Sequence, residues 1–337
     1  MNTPIRILAI ESSCDDTAAA VLENGEVLSN LIANQEVHAD YGGVVPELAS
    51  RAHQQNILPV VAQSLKKANI KLSNIDAIAY TEGPGLLGSL LVGSSFAKGL
   101  SMGLRKPLIS VNHMQAHILA HFIKDNEAQP SFPFLCLTVS GGHTQIVLVE
   151  AALKMKVIGR TLDDAAGEAF DKAAKMMQLP YPGGPLIDKY AKMGDPNRFH
   201  FKVGKMKGYD FSFSGIKTGI LYFLRKEIEK SPTFIKDNLH DLCASIQNNI
   251  IDALFLKLEK AVAHYGIKEV AIAGGVSANS AIRSRLKAKE KDGWKVYIPK
   301  LEYCTDNAAM IGIVGHYKFL EKDFSPLNAI PNPRLKL

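Results

Sequence analysis

No two of the four cysteines, Cys14, Cys136, Cys243 and Cys304, form a C-x-x-C pair. That spacing argues against a disulfide framework and a cysteine-built zinc site, and for a reducing cytoplasm. No apolar run reaches the ~18 residues that a membrane span needs. The N-terminus offers only the short Ile5–Ile10 segment before acidic residues begin, so no signal peptide is expected. A convincing Ser-His-Asp or Cys-His set is also missing, which leaves no protein nucleophile for covalent catalysis. Strong charge imbalance is absent too. The formal charge of +6 is compatible with a nucleic-acid partner without establishing one. The basic clusters are Lys202, Lys205 and Lys207, and the run Arg283, Arg285, Lys287, Lys289 and Lys291. The second run contains Glu290, and each cluster also reads as a solvated face.

What is present is the composition of an ordinary soluble protein, 47% hydrophobic and 21% charged. At 337 residues the chain has room for two domains, at ~150 residues each. A diverged duplication is legible. Ile7–Ile10, a polar turn and Thr17–Leu22 match Leu135–Val139, Ser140-Gly-Gly-His143 and Thr144–Val149. Each reads as strand, tight turn and strand, with Ser13 opposite Ser140 and Thr17 opposite Thr144. Further on, Asp76–Tyr80 leads into Thr81–Gly85 and a helix-like Leu86–Met102. Val270–Ala273 likewise leads into Gly274–Asn279 and a helix-like Ser280–Lys289. Two such halves describe an α/β, actin-like ATPase fold, two duplicated subdomains around a nucleotide cleft. The expected division is 1–115 with the segment 300–337, and 116–299 with an insertion around 163–215.

The sharpest local signal is His113-Met-Gln-Ala-His117. Leu108–Val111 reads as a strand, and Asn112 is placed to cap a helix beginning at His113. Imidazoles four residues apart share one helix face, a spacing that suits a metal. His121 continues the stripe, but a third ligand there would strain the geometry. The zinc-protease motif H-E-x-x-H carries a Glu as base, and here that position is Met114. Asp306 is the best third ligand, after the strand-like Trp294–Pro299 and before a helix start at Asn307. Cys304 competes for that role, and a helix N-cap is the bland reading of Asp306. Two imidazoles and a carboxylate would leave open metal positions, and they suit iron as well as zinc.

Other residues point to an anionic nucleotide. Ser140-Gly-Gly-His-Thr144 suits a phosphate cradle, because glycines admit close backbone approach and hydroxyls donate. Asp171 and Asp188 suit ribose hydroxyls, or are plain helix charges. Gly183-Gly184 and Gly274-Gly275 suit a flat base or sugar, or are plain turns. Glu11 ends a strand, where an active-site carboxylate is often placed.

The chain resembles the tRNA N6-adenosine threonylcarbamoyltransferase family, whose members were once described as O-sialoglycoprotein endopeptidases. The stretch from Lys98-Gly99 through Leu104, Arg105, Pro107 and Ile109 to His113, Ala116, His117 and Ile118 carries the resemblance. So do Ile10–Asp16, Val139–Thr144, Thr161–Asp171, Tyr181–Pro185, Asp210–Lys217 and Ala273–Asn279, in order from about Ile7 to Val314. The resemblance implies His113, His117 and Asp306 as ligands of one divalent metal per subunit, Fe2+ or Zn2+. It implies Thr138, Val139, Ser140, Gly141, Gly142, Asp171, Gly184, Asp188 and Asn279 as residues that hold an adenylate, and Glu11 as a catalytic acidic residue near the reacting group, which takes the proton leaving the amine or positions the amine. Gln115 departs from the family's usual Glu. The implied reaction moves a threonylcarbamoyl group from threonylcarbamoyl-AMP to N6 of the adenosine 3′ of the anticodon. The implied tRNAs read codons beginning with A, and AMP is released. Implied partners are tRNA, a paralogous partner of the same fold, a small ATPase and an enzyme making the adenylate, all away from membranes. The competing readings are a metalloprotease, a sugar kinase or ATPase of the same fold, and a nucleotide-regulated binding protein.

Overall fold

The computed structural model describes residues 4–33, 41, 43–201 and 206–337. Lys202 and Lys205 of the first basic cluster lie outside the described residues. Contacts divide the chain into two units. One comprises Met1–Pro130, Ala151–Lys154 and Pro299–Leu337, the other Ser131–Glu150 and Met155–Ile298.

The first unit is built on strands β1 (Arg6–Glu11), β2 (Thr17–Glu23), β3 (Glu26–Ala33), β4 (Ala77–Gly83) and β5 (Leu108–Asn112). Their order is β3-β2-β1-β4-β5. β1 pairs antiparallel with β2 and parallel with β4, and β4 pairs parallel with β5. Central strands covered on both faces need apolar residues at every position, and Ile7–Ile10 supplies them. Alternate residues face opposite ways. Leu8 and Ile10 pack with Ile57 and Val61 of α1 (Pro46–Ala68) and Ala97 of α2 (Leu87–Leu104). On the other side Ile7 and Ala79 meet α10 (Ala308–Leu320) at Gly315. A Cβ on Gly315 would stand 2.7 Å from the Ala79 Cβ, so the missing side chain lets this helix lie close to the sheet. α10 also packs against α3 (His113–Leu119), the short helix that follows β5.

The second unit repeats the plan with β6 (Phe134–Val139), β7 (Thr144–Ala151), β8 (Lys154–Arg160), β9 (Glu269–Ala273) and β10 (Lys295–Tyr297). Read from the far edge, the order β10-β9-β6-β7-β8 is the first sheet's order reversed. β6 pairs antiparallel with β7 and parallel with β9, as β1 does with β2 and β4. The helices are α4 (Ala166–Met176), α5 (Gly183–Ala191), α6 (Ser214–Lys230), α7 (Phe234–Asp237), α8 (Leu239–Tyr265) and α9 (Ser280–Ala288). The long α8 carries Leu242, Ile246, Ile250, Leu254 and Leu258 into the core against β6 and β9. The expected strand Trp294–Pro299 shortens to Lys295–Tyr297, and the helix expected from Leu86 runs to Leu104.

Candidate functional site

In the first unit, β5 ends at Asn112, whose side-chain oxygen accepts from the N–H groups of Met114 (2.9 Å) and Gln115 (3.2 Å). That N-cap starts α3 at His113 and sets both imidazoles on one face. The two rings stand edge to face, with centroids 4.7 Å apart. Asp306 immediately precedes Asn307, and Asn307 is the residue that caps α10, accepting from the Met310 N–H at 3.1 Å. Asp306 is therefore free of capping. Its Oδ1 lies 3.4 Å from His113 Nε2 and 3.3 Å from His117 Nε2. Two donors ~2.1 Å from one tetrahedral ion stand ~3.4 Å apart, so these separations suit a shared metal. His117 adds a second observation: both its ring nitrogens are buried and neither makes a well-formed hydrogen bond, Nε2 meeting only the Asp306 carboxylate at 3.3 Å. Leaving such a group unpaired costs about 1–3 kcal/mol, which a coordinated ion would offset. The triad fits a divalent metal, with one ligand atom from each residue within 4.8 Å of the others.

His121 falls in a 3-10 turn, Ala120–Phe122, outside the triad. The Cys304 thiol turns to the carbonyls of Lys300 (3.4 Å) and Pro299 (3.9 Å) rather than into the cluster. Met114 is 2% exposed, so its position faces the core.

Glu11 stands directly behind His113. It is fully buried, and its Oε2 lies 3.2 Å from His113 Nδ1. The same oxygen accepts from the Thr81 hydroxyl at 2.6 Å, and Oε1 accepts from the Ser13 N–H at 2.5 Å. Ser13 Oγ is 3.3 Å from His113 Nδ1. Burial would raise the Glu11 carboxyl, but the charge and hydrogen bond of His113 hold it below the usual range. Burial would lower His113, yet the charges of Asp306 and Glu11 carry it well above an ordinary imidazole. Asp306 is lowered against burial by His113 and His117, whereas burial, aided by the His113 charge, lowers His117. Without an ion, the two flanking carboxylates favour the protonated form of His113. An ion at the triad would displace that proton.

In the second unit, Thr138–Gly142 lie at and just after the C-terminal end of β6 and Asn279 follows the loop after β9, the usual ligand side of parallel strands, while Asp171, Gly184 and Asp188 lie on α4 and α5. Thr138 and Val139 end β6 as buried residues, and Thr138 pairs with Ala273 of β9. The Ser140–His143 turn is closed by two hydrogen bonds between its ends, Ser140 N–H to the His143 carbonyl and His143 N–H to Ser140 Oγ. Gly141 and Gly142 have open space where a Cβ would stand. Asp171 on α4 accepts through one oxygen from the N–H groups of Gly183 (2.9 Å) and Gly184 (3.0 Å), capping α5. Burial raises its carboxyl, and those two bonds oppose the rise. Asp188 spends both oxygens on Ser280, at 2.8 Å from the hydroxyl and 3.1 Å from the N–H. Asn279 caps α9 through the N–H groups of Ala281 and Ile282, and its amide nitrogen donates to Gln247 Oε1 at 2.7 Å.

Sequence reasoning missed three residues. Thr81 holds Glu11, and nothing in its local pattern signals that. Gln247 orients Asn279, and its signal is the first amide of Gln247-Asn248-Asn249, set on the buried stripe of α8. Gly167 lets α4 approach the Ser140–Gly141 turn, and its signal is a glycine inside a helical run. A Cβ there would meet the Ser140 carbonyl oxygen at 2.6 Å. In the second basic run, Arg285 pairs with Asp252, and Lys289 pairs with Glu259 (2.8 Å) and Asp292 (3.1 Å). Those two cations belong to a neutralised helix face.

Among the described residues, no helix is long and apolar enough to cross a membrane. Two α/β units with the same strand plan, one bearing a His-His-Asp cluster, define an actin-like ATPase-fold protein with a candidate metal centre. Solved structures agree on the fold. A full-length HypF in its phosphate- and nucleotide-bound form matches with a TM-score of 0.61 at 14% identity, over 95% of this chain and 47% of that one. Component A of the Acidaminococcus fermentans (R)-2-hydroxyglutaryl-CoA dehydratase matches with a TM-score of 0.52 at 15% identity, over 93% and 98%. The particular family follows from sequence. Residues 26–313 match the model of the tRNA N6-adenosine threonylcarbamoyltransferases. Proteins of that name from Christiangramia forsetii and Riemerella anatipestifer are 64% and 61% identical, each over 98% of both chains. The chain belongs to the tRNA N6-adenosine threonylcarbamoyltransferase family and is a transferase.

Proposed function

We propose that this protein transfers the threonylcarbamoyl group of L-threonylcarbamoyladenylate to N6 of the adenosine 3′ of the anticodon, in tRNAs that read codons beginning with A. The observation that carries the reading is the His113–His117–Asp306 triad, with both imidazoles buried and Asp306 half-buried, in a chain of this family. In the reaction N6 forms a bond to the carbonyl carbon, the mixed-anhydride C–O bond breaks, and AMP and a proton leave. A divalent ion, Fe2+ or Zn2+, would supply Lewis acidity to polarise the donor and neutralise phosphate charge. His113, His117 and Asp306 would hold it.

The remaining work falls to the chain. Ser140 and the N–H groups of Gly141 and Gly142 receive the phosphate, with open space above both glycines. Asp171 offers its second oxygen to a ribose hydroxyl, while its first keeps Gly184 at the floor of the site. Asp188 and Asn279 act through α9, whose first turn they order beside the Gly274–Asn279 loop. Glu11, with both oxygens engaged, is a positioning residue for His113. The protease reading lacks its base, because the position of Met114 faces the core. The family supports a cytoplasmic setting, with tRNA, a paralogous partner of the same fold, a small ATPase and an adenylate-forming enzyme as partners.

The test incubates the protein with synthetic threonylcarbamoyl-AMP and unmodified tRNA, with and without those partners, and analyses nucleosides by mass spectrometry. Modified adenosine in the complete mixture is expected, and its loss in the His113→Ala/His117→Ala variant together with bound metal. Full metal occupancy in that variant would overturn the triad, and a phosphorylated small molecule as product would favour a kinase.

A further inference from the structure

Asn112 has two partners that no motif connects. Its oxygen caps α3, and its amide nitrogen donates to the Lys336 carbonyl at 3.0 Å. The segment that brings Lys336 there, Ser325–Leu337, contains no helix or strand, yet it is tied to the first unit along its length. Its Ser325 N–H donates to the Leu108 carbonyl at 2.8 Å, and Ser325 Oγ accepts from the Ser110 N–H at 2.8 Å. These bonds cover the open edge of β5, where unpaired backbone groups would otherwise face water. Next, Lys98 of α2 donates to the Ala329 carbonyl at 2.5 Å. The Asn332 N–H then donates to the Glu82 carbonyl at 2.9 Å, and the Gly85 N–H to the Pro333 carbonyl at 3.3 Å. Gly83 has φ +154, and a Cβ there would meet the Asn332 carbonyl oxygen at 1.9 Å. The strap therefore passes against the backbone at the ends of β4 and β5 and finishes on the cap of the helix that carries both imidazoles.

We propose that the 325–337 strap, acting through the Lys336–Asn112 hydrogen bond, is a positioning element of the metal centre. It fixes the pivot of α3, and so the direction in which His113 and His117 present Nε2 to Asp306. The inference rests on the triad holding a metal. Groups one step behind metal ligands commonly govern affinity by 10–100-fold when altered. Asn112 is one peptide bond from His113, and rotation of its cap swings both rings together.

Three variants separate this role from general stabilisation. Asn112→Ser keeps a good N-cap and removes only the donor to Lys336. Ending the chain at Leu335 removes the acceptor and leaves the Asn332 and Pro333 contacts, including the Arg334 and Leu335 N–H groups on Asn332. The third variant combines both changes. Each is loaded with Co2+, and affinity and the visible absorption spectrum are measured beside the melting temperature of the metal-free protein. The expected result is about a tenfold weaker Co2+ affinity, with an altered spectrum, in either single variant. The combined variant should be no weaker than either, because both changes delete the same bond. Unchanged affinity and spectrum in both single variants would overturn the proposal, even if melting temperatures fell. Losses that multiply to about a hundredfold in the combination would also overturn it, since the two groups would then act separately. Failure of the unaltered protein to bind Co2+ would overturn the metal reading and this inference with it. Normal binding by the unaltered protein that only His113→Ala/His117→Ala abolishes would refute the strap and leave the triad standing.

Discussion

Glu11→Gln discriminates between two roles for the carboxylate behind His113. The side chain is isosteric, so packing around this fully buried position is kept. What changes is the hydrogen-bond polarity. Oε1 accepts from the Ser13 N–H, which cannot reverse, so the glutamine must turn its oxygen there. Its NH2 group then faces the Thr81 hydroxyl and His113 Nδ1. Threonine rotates its proton and accepts. The neutral His113 must also accept at Nδ1, and that moves its proton to Nε2, the nitrogen that faces Asp306. A protonated Nε2 cannot bind an ion. Restoring the other tautomer sets donor against donor in a buried site, at about 1–3 kcal/mol. That corresponds to roughly 5–150-fold in metal affinity. The assay is competition for Zn2+ or Co2+ against a chelator of known strength, with threonylcarbamoyl transfer measured at saturating metal. Weaker metal binding, with transfer largely recovered when metal is saturating, is expected. Metal affinity equal to that of the unaltered protein with transfer abolished would refute the reasoning and make Glu11 a proton acceptor.

Two further predictions test other parts of the site. Gly167→Ala places a Cβ 2.6 Å from the Ser140 oxygen and 2.8 Å from Gly141 Cα. Alanine ordinarily suits a helix better than glycine, but at this first-turn position a loss of about 1–3 kcal/mol is expected, with weaker AMP binding by calorimetry. A stabilised variant with unchanged AMP affinity would contradict the close approach. The Asp16 carboxyl is pushed up to about 7, first by burial and then by the charges of Asp15, Asp306 and Glu11, from an ordinary value of 3.8. The folded state therefore binds the Asp16 proton more tightly than the unfolded chain. The contribution is favourable at low pH and is lost as pH rises from about 4 through about 7. Asp16→Asn should stabilise the metal-free protein at pH 8 by on the order of 2 kcal/mol in denaturant unfolding, about half of what the full shift would give because solvent screens a partly exposed carboxylate, with little gain at pH 4. Equal gains at both pH values would refute it.

Much of this was legible in the chain because it is local. Ser13 and Ser140, and Thr17 and Thr144, reveal the repeat because a strand-turn-strand imposes the same short alternation each time. The His113–His117 pair and its Asn112 cap are legible because one helical turn and its start signal span only a few residues. Asp306 stood out as a carboxylate before a helix, and the bland alternative was an N-cap. The structure gives that task to Asn307 and leaves Asp306 free. Cys304 could be set aside only once its thiol was seen to face two carbonyls.

The residues by themselves determined the duplicated α/β plan, the family and the two imidazoles, since each is written in contiguous motifs. Tertiary structure decided which carboxylate completes the triad, because α10 must first pack beside α3. It also decided what stands behind the ligands. Glu11 on β1 and Thr81 on β4 meet only because those strands are neighbours, and one buried oxygen can serve both Thr81 and His113. Asp171 and Asp188 looked like free acceptors, and packing assigned much of their capacity to the ends of α5 and α9. Buried donors must be satisfied by whatever acceptor the fold brings near, and sequence spacing carries no record of that choice.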